Sequence, residues 1–143
     1  MIVVDTSVLA YAVGVEHPLK EPSQRLVSAI AGGAVYATTT VEVIQEFAHI
    51  RSRRFPRREA AAVARSYAQL LSPLLPVDEE TLDQGLELFR RHARLGAFDA
   101  VLAAAVLAHD ADALVSADAG FNGIPQLRWA APGSPELEKL LGA

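Results

Sequence analysis

Cysteine is missing from all 143 residues, and with it go a disulfide framework, a thiolate nucleophile and a cysteine zinc site. Any metal must then be held by harder atoms, and carboxylate oxygens favour Mg²⁺ or Mn²⁺ over softer ions. A bilayer-spanning run is missing too. The longest apolar stretch, Ala100 to Ala108, stops far short of the ~20 residues a spanning helix needs. No basic stretch precedes the apolar N-terminus and Asp5 interrupts it, so a soluble, cytoplasmic protein is expected. Histidine is sparse: His17, His49, His92 and His109 form no pair at metal-ligand spacing and are assigned no chemistry. There is no internal repeat, low-complexity tract or interdomain linker, and 51% of the residues are hydrophobic. One domain over residues 1–143, with a substantial core, is the expectation.

The net charge of −4 argues against a nucleic-acid partner on average, because such domains are basic where they meet phosphate. The average hides an asymmetry. Arg51, Arg53, Arg54, Arg57 and Arg58 fall within eight residues. With the chain's acids compensated by a cation, the field near this segment becomes positive.

Strand and helix signals alternate along the chain. Met1 to Val4 is a short β-branched run, and Asp5, Thr6 and Ser7 supply the capping chemistry that opens a helix through Tyr11. Gly14 to Pro22 breaks the pattern. Leu26, Val27 and Ile30 then mark a helix over 23–31, ended by Gly32 and Gly33. Ala34 to Ala37 is the second predicted strand. Thr38 to Thr40 cap a helix carrying Val43, Ile44, Phe47 and Ile50, and Pro56 opens another that runs to Leu71. Asp78 to Ala93 follows, with Leu82, Leu86 and Phe89 on one face. Phe98 to His109 is apolar on nearly every side and is predicted to be a buried helix. Ala113 to Ser116 and Gln126 to Ala130 are the third and fourth strands, and a short amphipathic helix closes the chain after Pro132. Strands separated by helices imply a parallel sheet covered on both faces.

Four acids stand where a strand or turn meets a helix: Asp5, Glu46, Asp99 and Asp118. Asp5 and Asp118 directly follow apolar strands, and Asp99 opens a helix too apolar to be a solvated surface element. Each alone is explained by capping and the helix dipole. Together at one sheet edge they repel one another and call for a cation. An open α/β sheet places its chemistry just outside the carboxyl ends of its strands. One or two Mg²⁺ held by such carboxylates can activate a water and stabilise an in-line phosphodiester displacement. No histidine, cysteine or lysine is needed as nucleophile or base.

These residues carry a family resemblance. Met1-Ile2-Val3-Val4-Asp5-Thr6-Ser7-Val8-Leu9 resembles the opening motif of PIN-domain ribonucleases, in particular the VapC toxins of bacterial toxin–antitoxin modules. Thr40 to Phe47, a hydroxyl followed six positions later by the acid Glu46, is similar to their second motif. Gly96 to Ala100 resembles the third, and Leu114 to Phe121 the fourth. The four occur in order and span most of the chain. The resemblance implies a three-layer α/β/α domain with a central parallel sheet, Mg²⁺-dependent endoribonuclease activity with Mn²⁺ as a substitute, inhibition by a VapB-type antitoxin, and a homodimer. Carried onto this chain, Asp5 and Asp99 are metal ligands, and Glu46 and Asp118 complete the cluster. Thr6 or Ser7, together with Ser116, would orient ligands or waters. Ser116 stands where the fourth motif commonly has Thr, and the hydroxyl is retained. Glu42 shares a helix face with Glu46, so either can serve as the second acid; motif spacing favours Glu46.

Alternatives remain beside this assignment. The arginines Arg51 to Arg58 suit RNA phosphates through their planar forks, and they equally suit an acidic antitoxin segment or a plain solvated junction. Tyr11, Tyr67 and Trp129 have the chemistry to stack on bases, but isolated aromatics at such positions are more often core. A catalytically silent PIN-like binding module would keep the fold and lose an acid, whereas all four are present. Haloacid-dehalogenase-type phosphatases share the strand–Asp start, but this chain has Asp5-Thr6-Ser7 in place of Asp-x-Asp. Its only lysines, Lys20 and Lys139, are poorly placed to supply their cation, and a response-regulator receiver is disfavoured on similar grounds.

Overall fold

A computed structural model describes residues 1–142. Four short strands, β1 (Ile2–Val4), β2 (Ala37–Thr38), β3 (Ala113–Val115) and β4 (Trp129–Ala130), form one sheet in the order β2-β1-β3-β4. All three pairings are parallel, with Ile2 opposite both Ala37 and Ala113, and Leu114 opposite Trp129. Every residue of β1 and β3 is buried, Val3, Val4, Leu114 and Val115 completely. Successive strand residues point to opposite faces, so both faces must be covered.

The covering helices are α1 (Thr6–Ala12), α2 (Lys20–Ala31), α3 (Val41–Arg51), α4 (Arg57–Leu70), α5 (Glu79–Arg91), α6 (Ala97–Ala108) and α7 (Pro135–Gly142). α1 packs against both α2 and α3, and α3 against α4, while α5 lies on α6 and α6 on β3. The result is the three-layer α/β/α arrangement expected from the alternating pattern. Phe47, Leu9 and Leu71 fill the core between α1, α3 and α4, where Phe47 meets Tyr67 edge to face at 5.1 Å. Tyr67 donates its hydroxyl to the Leu9 carbonyl at 3.0 Å, and burial pushes that phenol up to about 12. It is a core residue, as expected. The closing helix packs back on the domain: Leu137 is buried, and Gly133 turns with φ +73° where a Cβ would meet Pro22 at 3.0 Å.

Several boundaries differ from the sequence expectation, each for a local reason. The second strand lies at 37–38 instead of 34–37, because the amides of Ala34 and Val35 are drawn back to the Ala29 carbonyl after Gly33 turns with φ +81°. The fourth begins only at Trp129, since Gln126 has φ +68° and leaves the extended region. α2 starts three residues early, with Pro22 inside its first turn, where a missing N–H costs no intrahelical bond.

Candidate active site

Sheet order decides where a site can form. From β1 the chain goes to β2 on one side and then crosses to β3 on the other, so a crevice opens beyond the carboxyl ends of β1 and β3. Ligand sites of open α/β sheets lie at such switch points. Asp5 ends β1, and Ser116, Ala117 and Asp118 follow β3.

Asp5 is held with unusual thoroughness for a buried carboxylate 5% exposed. Oδ1 accepts the Thr6 amide at 2.7 Å while Asp5 caps α1. Oδ2 accepts hydroxyls from Ser7 at 3.0 Å and Ser116 at 2.6 Å. Both hydroxyls are themselves anchored, Ser7 across the crevice and Ser116 within its own segment. The Ala117 amide donates to Ser7 Oγ and the Asp118 amide to Ser116 Oγ, each at 3.0 Å. Trp129 Nε1 donates to the Ser116 carbonyl at 3.0 Å, tying β4 to the same corner. Burial drives the Asp5 carboxyl above its usual range; these hydrogen bonds oppose the rise, and the Glu46 charge adds to it. Thr6 differs from Ser7, since its buried Oγ1 has no partner among the described residues.

Asp99 enters from the first turn of α6. Burial raises its carboxyl to about 7, and the charges of Asp5, Asp118 and Glu46, with a hydrogen bond to Asp118, push in the same direction. The other three acids therefore act on this one titrating group. Asp118 caps the 3₁₀ turn over Ala119–Phe121 by accepting the Gly120 amide at 2.8 Å. Glu46 sits one turn beyond Glu42 on α3. Both line the cleft, but Glu46 is the one whose charge acts on Asp5 and Asp99.

The cleft holds about 430 Å³ and is lined by Asp5, Glu42, Glu46 and Asp99, by Asp78 and Glu79 at the start of α5, and by an apolar wall. Among the described residues no lysine, arginine or histidine lines it. The donor set is entirely oxygen and carries negative charge without a counterion, which fits a hard divalent cation. No three acidic or histidine side chains among the described residues converge as a ready-made cage. Mg²⁺ does not require one, because it keeps several waters and takes one or two carboxylates.

The apolar wall was not foreseen from sequence. Leu82, Leu86 and Phe89 share a face of α5 as their spacing predicts, yet they are 45%, 46% and 46% exposed. The inward face of α5 is Thr81 and Gly85, and a Cβ at Gly85 would lie 2.7 Å from Val101 Cα. α5 therefore approaches α6 through its glycine and leaves the leucines to line the cleft. Phe98, at the start of a helix expected to be buried, is 77% exposed beside them. The mid-helix Gly85 was the available signal.

The arginine cluster lies away from this cleft and divides in two. Arg51 is a correction to the group expected to meet RNA. Its guanidinium forks onto Glu59 at 2.7 and 3.1 Å, donates to the Val13 carbonyl at 2.8 Å and lies 3.7 Å over the Phe55 ring. Arg53, Arg54, Arg57 and Arg58 are exposed and pair with no carboxylate among the described residues. Tyr11 is a second correction: it is half-buried against His17 and not part of the core.

Comparison with known proteins adds an independent line. The PIN domain family matches residues 2–127. Ribonuclease VapC7 of Mycobacterium tuberculosis is 46% identical over 146 aligned positions that cover 99% of each chain. VapC ribonuclease Mb1869c of Mycobacterium bovis is 33% identical over 90% of this chain and 98% of its own length. Ribonuclease VapC23 of Mycobacterium tuberculosis is 31% identical over 69% of this chain and 78% of its own.

Proposed function

Because the chain belongs to the PIN-domain family, among its VapC ribonucleases, we propose that Asp5, Glu46, Asp99 and Asp118 form the centre at which it hydrolyses RNA phosphodiester bonds as an endoribonuclease toxin. The observation that supports this reading is that Asp5, Glu46 and Asp99 line one cleft at the switch point of the sheet, with Asp118 near enough to act on Asp99 and no cationic side chain among the described residues of the lining. Mg²⁺ is the proposed cofactor and Mn²⁺ its substitute; bound there, the ion would lower the pKa of a water and offset charge on phosphate oxygens.

The chain's own groups have separable tasks in this reading. Asp5 presents a fixed carboxylate whose orientation is set by Thr6, Ser7 and Ser116 before any ligand arrives. Such preorganisation removes the need to reorient a carboxylate during reaction. Asp99 is held up to about 7 by burial and by the charges of its acidic neighbours in the metal-free protein, so a cation bound there would favour its carboxylate form. Glu46 and Asp118 complete the negative field. The hydroxyl of Thr6, buried at the cleft without a partner among the described residues, is available to a water or a substrate oxygen. A VapB-type antitoxin is the proposed protein partner, and the exposed leucines and Phe98 beside the acids give such a partner an apolar surface to cover. A homodimer is proposed on the strength of the family.

The test is cleavage of total cellular RNA by purified protein in Mg²⁺ or EDTA, comparing wild type with Asp99→Asn and Asp5→Asn, with mass measured by light scattering. Discrete fragments that require both the metal and the two acids are expected, from a dimer, and are expected to vanish on adding the co-expressed antitoxin. Cleavage undiminished in both variants would overturn the assignment of the acids.

A further inference from the structure

α1 and α3 both begin beside the acidic cleft, and where they end there is a second cavity of about 520 Å³. Its walls differ in kind from those of the first. Tyr11 and His17 face each other with ring centroids 4.4 Å apart and planes tilted by 30°. Ile50 and Phe55 are each 41% exposed within it. Arg53 and Arg54 also line it, exposed and without a carboxylate partner among the described residues. The cavity is braced from below, because Arg51 ties the end of α1, through the Val13 carbonyl, to Glu59 on α4 while lying on Phe55.

A half-buried tyrosine and an exposed histidine next to guanidinium groups that pair with no carboxylate among the described residues, Arg53 touching only His49 at 3.3 Å, are the chemistry that holds an unstacked nucleobase and its neighbouring phosphates. An acidic peptide would also meet the arginines, but it would not stack on the aromatic rings as a base does. Placement argues the same way. No cationic side chain among the described residues lines the acidic cleft, so phosphates flanking a scissile bond and out of reach of a metal there must find their counter-charge elsewhere. One stripe of α3 leads there: Val43 and Glu46 line the acidic cleft, and Phe47 and Ile50 line the second, at positions i, i+3, i+4 and i+7. From Glu46 to Ile50 the helix rises only ~6 Å. We propose that the second cavity is a nucleobase subsite for the RNA substrate a few nucleotides from the scissile bond, with Tyr11 and His17 stacking the base and Arg53 and Arg54 meeting its phosphates; this rests on the ribonuclease reading above.

The experiment uses the full chain in EDTA, a short fluorescein-labelled single-stranded RNA of mixed sequence, anisotropy over a salt series, and parallel cleavage of total RNA in Mg²⁺. Tyr11→Ala is expected to weaken binding on the order of tenfold with an unchanged salt slope, and Tyr11→Phe to retain it. Arg53→Ala combined with Arg54→Ala is expected to lower the slope of log affinity against log salt by ~1.4, since each lost single-strand phosphate contact removes ~0.7. Those two arginines are exposed, so the double variant tests the cavity even if Tyr11→Ala melts early. Unchanged affinity and slope in wild type and variants that all cut RNA would overturn the subsite alone. A wild type that cuts no RNA would overturn it together with the reading it rests on. Unchanged RNA affinity with a switch from dimer to monomer would also overturn it, identifying the cavity as a contact between two copies of the chain.

Discussion

Ser116 carries more of the site than its size suggests. Its hydroxyl donates to Asp5 and accepts from the Asp118 amide, so one fully buried atom joins two of the four acids. Replacing it with alanine removes a charge-assisted bond to a buried carboxylate and the acceptor of the Asp118 amide, at a cost of about 1–3 kcal/mol. Ser116→Ala is expected to lower the urea midpoint accordingly and to cut the cleavage rate 10- to 100-fold, roughly the loss seen when ligand-orienting partners are removed. Ser116→Thr keeps the hydroxyl and should restore most of both. Full activity in Ser116→Ala would show that Asp5 does not depend on it for position. Asp5 and Asp118 stood out in the sequence because each closely follows an apolar strand, although capping alone explains either. The bond from Ser116 to Asp5 did not, since it joins residues 111 positions apart and exists only once β1 and β3 pair. The division among the arginines was equally illegible: one local cluster holds both the tethered Arg51 and its exposed neighbours, and only the position of Glu59 separates them.

At the scale of the element, α5 shows how periodicity can identify a face without saying what meets it. The spacing of Leu82, Leu86 and Phe89 defines an apolar stripe, and ordinarily such a stripe turns to the core. Here the closest approach to α6 belongs to Gly85, where no side chain can be accommodated against Val101. Gly85→Ala tests this, because helix propensity alone predicts a gain of up to ~1 kcal/mol. The contact predicts the opposite sign, a net loss of about 1–3 kcal/mol from overpacking, read from urea unfolding. Leu86→Ser should change stability by only ~0.5 kcal/mol, as expected of a surface position. A stabilised Gly85→Ala protein would mean that α5 is free to move off α6. Strand positions were legible to within a few residues, and the errors at β2 and β4 came from left-handed residues whose turns shorten the extended segments.

Over the whole molecule, the acidic centre makes folding depend on pH and on the cation. Asp99 titrates near 7 when folded against an ordinary value of 3.8, so between those values the folded metal-free protein holds a proton that the unfolded chain has released. Stability from this group is therefore greatest in acid and falls as pH rises through that window. The melting temperature of EDTA-treated protein should decline from about pH 4 to about pH 7, and Asp99→Asn should flatten the decline. Added Mg²⁺ should raise the melting temperature on the alkaline side and do less below pH ~7, where a proton competes for the carboxylate. An identical pH slope in wild type and Asp99→Asn would remove Asp99 as the source. The pairing of β1 with β3 has a consequence for the cell that makes this protein. The fixed geometry of Asp5 depends on a hydroxyl synthesised 111 residues later, so a growing polypeptide on the ribosome carries its first acid long before it can aim it. Parallel pairing across so long a separation also forms slowly. A chain built this way cannot orient its first acid until most of its length has emerged from the ribosome.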